Sequence, residues 1–297
     1  MCFKNLIPNP TVTYTSPDSE GVLRFKPADS SNGEAVITVM VEDAGLDGNF
    51  ATTGDNQTTS RSFRVTVGSG IEDLGRVDYH LLANSNVNAE KWYKGIAHRD
   101  GTLTFEANFN VANGAIAIEL LDSNKQLVST GSATSAGMRI DHSVLEGELY
   151  FFRIIGTNTN TDLRISNLIS VNNDAVDVFG TIDYDNFVFA AGDNHRVVVK
   201  NVEYFFNAQQ YSTFVFDGSF DYDSIWIGGS TSDEIVDFRV SNTRILGDGF
   251  NFEAQRINNV VFKGQGGSDV ANFFDSAGSD TFNSSPGLAI MNGANYE

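Results

Sequence analysis

A single cysteine, Cys2, stands in 297 residues, which excludes an internal disulfide and a cysteine-built zinc cluster. No histidine lies near it in sequence to serve as a base, so a thiolate nucleophile is not expected there. Positive charge is scarce: 19 Lys and Arg stand against 38 Asp and Glu, a net charge of −19. That balance argues against a nucleic-acid binder, which needs a basic face, and against docking on anionic lipid. No apolar run approaches the ~18 residues of a spanning helix, so membrane insertion is not expected. The opening MCFKNLIPNP lacks the apolar core of a signal peptide. The nucleophile elbow G-x-S-x-G, the zinc helix H-E-x-x-H and the phosphate loop are all missing. Asp141-His142-Ser143 are adjacent in sequence and would point to opposite faces of a strand, so they do not read as a triad. Asp183 and Asp185 are a conceivable carboxylate pair, but no sugar platform is evident beside them, and they read as solvated loop residues. The chain is expected not to be an enzyme.

What is present is an all-β texture: 28 Gly, 23 Phe and short apolar runs separated by Asn, Ser, Thr and Asp. Residues 1–68 hold four alternating runs, among them Ile37, Val39 and Val41 on one face and Phe63, Val65 and Val67 on another. Four strands make a partial immunoglobulin-like sandwich, since the complete form has about seven. Gly68-Ser69-Gly70 reads as a joint. Residues 69–172 alternate cleanly at Leu103–Phe109, carry further apolar runs at Ile116–Leu121 and Leu149–Ile155, and read as an antiparallel β-sandwich. Residues 173–297 contain an internal repeat: Phe206-Asn207-Ala208-Gln209 returns as Phe252-Glu253-Ala254-Gln255, and Val215-Phe216 as Val261-Phe262. The shift is 46 residues, and the short strands between Gly and Asn corners suit a short β-solenoid.

The acidity concentrates in the repeat, where residues 174–297 carry a net charge of −12. Calcium is the hard cation that such oxygen ligands suit. Gly264-Gln265-Gly266-Gly267-Ser268-Asp269 follows the calcium-repeat pattern with one glycine replaced, and Gly278-Ser279-Asp280 follows its second half. Asp217, Asp221 and Asp223 form a further acidic turn. These five aspartates are the candidate metal ligands, and the alternative is that Asp and Gly serve turn geometry. Tyr204, Phe205 and Phe206 cannot all face inward from a regular strand. An exposed aromatic beside Trp226 would suit a sugar face or a partner protein, while an inward stack of aromatics is the alternative.

Three resemblances follow. PTVTYTSP, GEAVITVMVEDAGLDGN and SRSFRVTV resemble the cadherin-like or immunoglobulin-like tandem modules of large secreted bacterial proteins. KWYKGIAHRDGTLTFEANF, AIAIELLDSNKQLV and EGELYFFRIIGTNTNTDLRI resemble the pre-peptidase C-terminal domain, with Ala89-Glu90-Lys91 where that family usually carries aspartates. The 174–297 stretch resembles degenerate hemolysin-type calcium-binding repeats. Together they imply a non-catalytic adhesive or display part of an exported bacterial surface protein, extracellular or on the cell surface. Its implied partners are protein or carbohydrate surfaces, not nucleic acid. The alternative is the accessory C-terminal region of a secreted peptidase or other hydrolase.

Overall fold

The computed structural model of the chain describes residues 6–8, 10–28, 33–52, 54–67, 70–285 and 288–293. Cys2, Gly68, Ser69, Tyr296 and Glu297 lie outside the described residues. Among the described residues, apart from one 3-10 turn at Val111–Asn113, every regular element is a strand. The first stretch forms two antiparallel hairpins: β1 (Thr11–Thr13) with β2 (Val22–Arg24), and β3 (Gly33–Glu42) with β4 (Thr58–Val67). The period of two places Ile37 inward while Val36 and Met40 stay exposed. Phe25, just after β2, meets Phe63 of β4 at 6.3 Å and ties the hairpins together.

The expected β-sandwich is present. Its strands are β5 (Ile71–Val77), β6 (Tyr79–Ala97), β7 (Gly101–Phe109), β8 (Ile116–Leu121), β9 (Leu127–Thr130), β10 (Ser132–Ala133), β11 (Gly137–Val144) and β12 (Leu149–Asn172). β12 runs unbroken from the apolar stretch Leu149–Ile155 through Leu163–Ile165 and beyond. β12 pairs with β6 and β8 along its first half, then with β6 and β7 along its second. Register shifts between Asn158 and Leu163 bend it from one layer into the other. Asn158 is buried at the bend and donates from Nδ2 to the carbonyls of Asn110 (3.0 Å) and Gly114 (2.8 Å). Those bonds satisfy a polar group that would otherwise be costly to bury. Phe105 and Phe152 meet edge to face at 5.3 Å between the layers, with Ile118, Ile140, Ile154 and Leu163 around them.

The third stretch is a β-solenoid continuous with the sandwich. The end of β12 pairs antiparallel with β13 (Ala175–Phe179), so the expected boundary at 172/173 falls in a hairpin turn inside one sheet. Asn173 takes φ +55 in that turn, a conformation that Asn tolerates. Leu168 and Ile169 of β12 pack into the solenoid core. Beyond β13 come β14 (Asn186–Ala190), β15 (Asn194–Val199), β16 (Val202–Asn207), β17 (Thr213–Asp217), β18 (Ser224–Gly228), β19 (Ile235–Phe238), β20 (Asn242–Gly247), β21 (Phe250–Gln255), β22 (Asn259–Lys263) and β23 (Val270–Phe273). β13, β17 and β21 stack in parallel on one side, and β14, β18 and β22 on the other. A last antiparallel hairpin joins β24 (Asp280–Ser285) and β25 (Leu288–Gly293).

The 46-residue spacing is corrected by this register. Equivalent corner positions are 38 residues apart between the first rungs and 35 between the next, as Asp185, Asp223 and Asn258 show. Phe252 stacks on Phe214 rather than on Phe206, and Val261 on Trp226 rather than on Val215. The mismatch arises because Phe206 belongs to the β15–β16 hairpin, which pairs antiparallel beside β14 and is not a rung. Lys200 and Asn201, with φ +50 and +60, make its tight turn. Inside the coil Phe187, Phe189, Phe214 and Phe216 are fully buried. Each contributes about 1.5–3 kcal/mol by leaving water.

Candidate functional site

The solenoid corners show what its acidic residues do. Gly180 and Asp185, Gly218 and Asp223, Gly229 and Glu234, and Gly264 and Asp269 share one five-residue spacing. A carboxylate folds back over the glycine in each of these turns. A methyl group at Gly180, Gly218 or Gly229 would stand 2.8, 2.5 or 2.6 Å from that carboxylate oxygen. Asp185 Oδ2 accepts the Thr181 N–H (2.6 Å), and Glu234 Oε1 accepts the Ser230 N–H (2.8 Å). The same groups also join successive rungs. The Asp185 N–H donates to Asp223 Oδ1 (2.7 Å), the Asp223 N–H to Asn258 Oδ1 (2.8 Å), and the Glu234 N–H to Asp269 Oδ1 (3.0 Å). Backbone donors at buried corners are thereby satisfied by side chains.

The five candidate metal ligands lie within this scheme. Asp217 accepts from Arg256, Gln255 (3.3 Å) and the Ser219 N–H (3.1 Å). Asp221 is exposed and accepts the Tyr222 N–H (2.8 Å). Asp223 and Asp269 bridge rungs, and Asp280 holds the Ser276 N–H (2.8 Å) and hydroxyl. Among the described residues, no three or more His, Cys, Asp or Glu side chains gather to hold a metal ion. Asp183 and Asp185 also part company. Asp185 is buried and ion-paired with Lys200 Nζ at 2.9 Å, whereas Asp183 donates its N–H to the Thr181 hydroxyl. Asp141 is engaged by Arg139 and Thr104, and the His142 ring lies against Tyr150 at 5.8 Å.

Asp223 carries a testable consequence. Burial pushes its carboxyl up to about 6, opposed by the Asp185 N–H, and its Oδ2 has no hydrogen-bond partner. A raised folded-state pKa means that the folded chain holds this proton more tightly than the unfolded chain. The associated stability is complete below about pH 4 and is lost as pH rises through 6. Asn fills the equivalent place on the next rung as Asn258, so Asp223→Asn keeps the Oδ1 acceptor and removes the buried charge. The variant should match the parent chain at pH 4 and exceed it by roughly 1–3 kcal/mol at pH 8 in urea unfolding. Burial in the aromatic core holds the imidazole of His195 below its ordinary pKa, which weakens the fold as pH falls below about 6.5. That term is common to both proteins and cancels in the difference.

The outer face of the five-stranded sheet β16-β15-β14-β18-β22 is where aromatic chemistry meets solvent. Trp226 sits between Val188 and Val261 and is 37% exposed. Its six-membered edge lies over Gly228: a methyl group there would come within 2.8 Å of Cη2. Tyr184 reaches across from the preceding corner, with Oη 2.8 Å from Ser224 Oγ on the same face. Ser224 in turn donates to Asn186 Oδ1 at 3.3 Å. The corners Gly180–Asp185 and Gly218–Asp223 repeat one pattern, Gly-Thr-Ile-Asp-Tyr-Asp and Gly-Ser-Phe-Asp-Tyr-Asp, and leave Ile182 and Phe220 exposed. This tandem and the glycine-to-acid spacing are readable in the sequence once the 38-residue register is known. Of the three neighbouring aromatics, Tyr204 and Phe206 face inward and Phe205 is exposed, as a period of two requires.

Trp92 offers a contrast. Arg153 and Lys125 cover its ring at 5.3 and 5.6 Å, and its Nε1 donates to Glu90 at 2.7 Å. Trp226 has no such cover, and among the described residues nothing hydrogen-bonds its Nε1.

No protein-family model matches the chain, and neither does any curated protein. Among solved structures it is similar to the pre-peptidase C-terminal domain of a collagenase from Bacillus anthracis. That likeness has 8% identity and a TM-score of 0.27, over 34% of this chain and 98% of that one. It is similar to a periplasmic inhibitor of g-type lysozyme from Aeromonas hydrophila at 9% identity and TM-score 0.26, over 32% and 96%. A fimbria protein of Burkholderia pseudomallei follows at 17% identity and TM-score 0.16, over 46% and 98%. At these TM-scores none of the likenesses fixes a function. The all-β architecture rests on the strands themselves, and the likeness to cadherin-like and hemolysin-type modules remains an expectation of the sequence. No helix among the described residues is long and apolar enough to cross a membrane.

Proposed function

We propose that this chain is a non-catalytic structural and display part of an exported bacterial surface protein. The observation that carries the reading is the continuity of β12 into β13, which makes the sandwich and the solenoid one sheet and hence one extended support. The engagement of the corner carboxylates in turns and rung ladders supports it as well, because it gives those groups a part in building the coil. Calcium is not required for this role: we propose that Asp217, Asp221, Asp223, Asp269 and Asp280 shape and join turns. The purified chain should show no turnover of generic peptide, ester or glycoside substrates. Turnover that disappears on substitution of one Asp, Ser or His would refute the reading.

A further inference from the structure

We propose that the solenoid face around Trp226 binds a neutral polysaccharide by stacking one sugar ring on the indole. This proposal rests on the non-catalytic reading above and gives that display surface a ligand class. One edge of the indole rests on the sheet over Gly228, and the side chain is exposed. Its Nε1 proton is free to donate. Hydrogen-bonding groups border it on the same face: Ser224, Asn186 and the Tyr184 hydroxyl on one side, and the Gln265 amide and Lys263 on the other. A pyranose presents a C–H face to such a ring and hydroxyls to such a border, which matches one aromatic platform with amide and hydroxyl partners. The net charge of −19 selects further, because it repels acidic polymers and leaves neutral ones.

The chain carries only two tryptophans, so Trp92→Phe leaves Trp226 as its sole indole reporter. That protein is titrated with cellohexaose, laminarihexaose, xylohexaose and chitohexaose, with polygalacturonate as the acidic control. At least one neutral hexasaccharide should shift the Trp226 emission saturably. In the parent background Trp226→Ala should weaken retention on the matching insoluble polysaccharide roughly tenfold or more. Gly228→Ala, which displaces the ring without removing it, should weaken it in the same direction. Both variants should keep the parent melting transition, since Trp226 faces outward. No shift with any neutral sugar at millimolar concentration would overturn the proposal, as would retention unchanged in both variants or tighter binding of polygalacturonate. Each of those results leaves the substrate-turnover test of the non-catalytic reading untouched.

Discussion

Phe189→Ala should cost about 3–5 kcal/mol, the largest effect of any single side chain in the solenoid. Phe189 is fully buried at the centre of the coil. Its ring meets Phe214 at 4.9 Å, Phe252 at 5.0 Å and Phe250 at 5.5 Å, and stacks on His195 at 5.6 Å. Truncation removes the transfer free energy of the ring and leaves a void that the parallel rungs cannot close, because their backbones are fixed by sheet hydrogen bonds. Phe189→Leu should cost much less, since it refills most of the volume. Urea unfolding followed by tyrosine and tryptophan fluorescence measures both. Equal costs for the two variants would show that ring packing is not what holds the coil together.

Arg139→Ala should cost about 3 kcal/mol and loosen the contact between sandwich and solenoid. Arg139 projects from β11, largely buried, and pairs with Glu106 and with Asp141, each at 2.8 Å. Its Nη1 also donates to the Glu203 carbonyl of β16 at 2.8 Å, and its guanidinium lies 4.9 Å from the centre of the Tyr204 ring. Arg164 makes a parallel link from β12 to the Asn201 carbonyl at 3.2 Å. Removing Arg139 leaves the buried Glu106 with Arg164 alone at 3.6 Å. Adding Glu106→Gln to Arg139→Ala should therefore recover part of the loss, giving a clearly non-additive double-mutant cycle. Arg139→Lys should recover little, because an ammonium cannot serve two carboxylates and a carbonyl with the same planar fork. Additive costs would mean that the network contributes only packing.

Period-two alternation made the strands legible in the sequence, from Leu103–Phe109 through Ile225–Ile227, because each exposes one face and buries the other. The rung register was not legible. Phe206 and Phe252 share their neighbours Ala and Gln but occupy different kinds of strand, and only the hydrogen-bond ladder separates a hairpin strand from a rung. The fusion of the modules through β12 was hidden for a related reason. Its polar middle, Gly156 to Asp162, reads as a loop, yet the residues there continue the strand through a bulge closed by Asn158. At the candidate surface, Trp226 and the Asp-Tyr-Asp corners could be picked out by residue type. That the indole lies over Gly228 depends on side-chain placement two positions along one strand, and the sequence alone carries no trace of it.

Apolar rungs and carboxylate-closed turns make the solenoid self-supporting. Thermal unfolding of the whole 297-residue chain carrying Trp92→Phe tests that claim most directly, because the remaining indole reports on the solenoid. The melt is run in chelator, in excess calcium and in excess magnesium, with far-ultraviolet circular dichroism alongside. The chain should be β-rich and melt cooperatively in chelator. Calcium should raise the midpoint by only a few degrees, and no more than magnesium does, as expected where an ion screens charge and finds no assembled site. A Trp226 signal that is unfolded in chelator and becomes native only with calcium would contradict the account and make Asp217, Asp221, Asp223, Asp269 and Asp280 ligands.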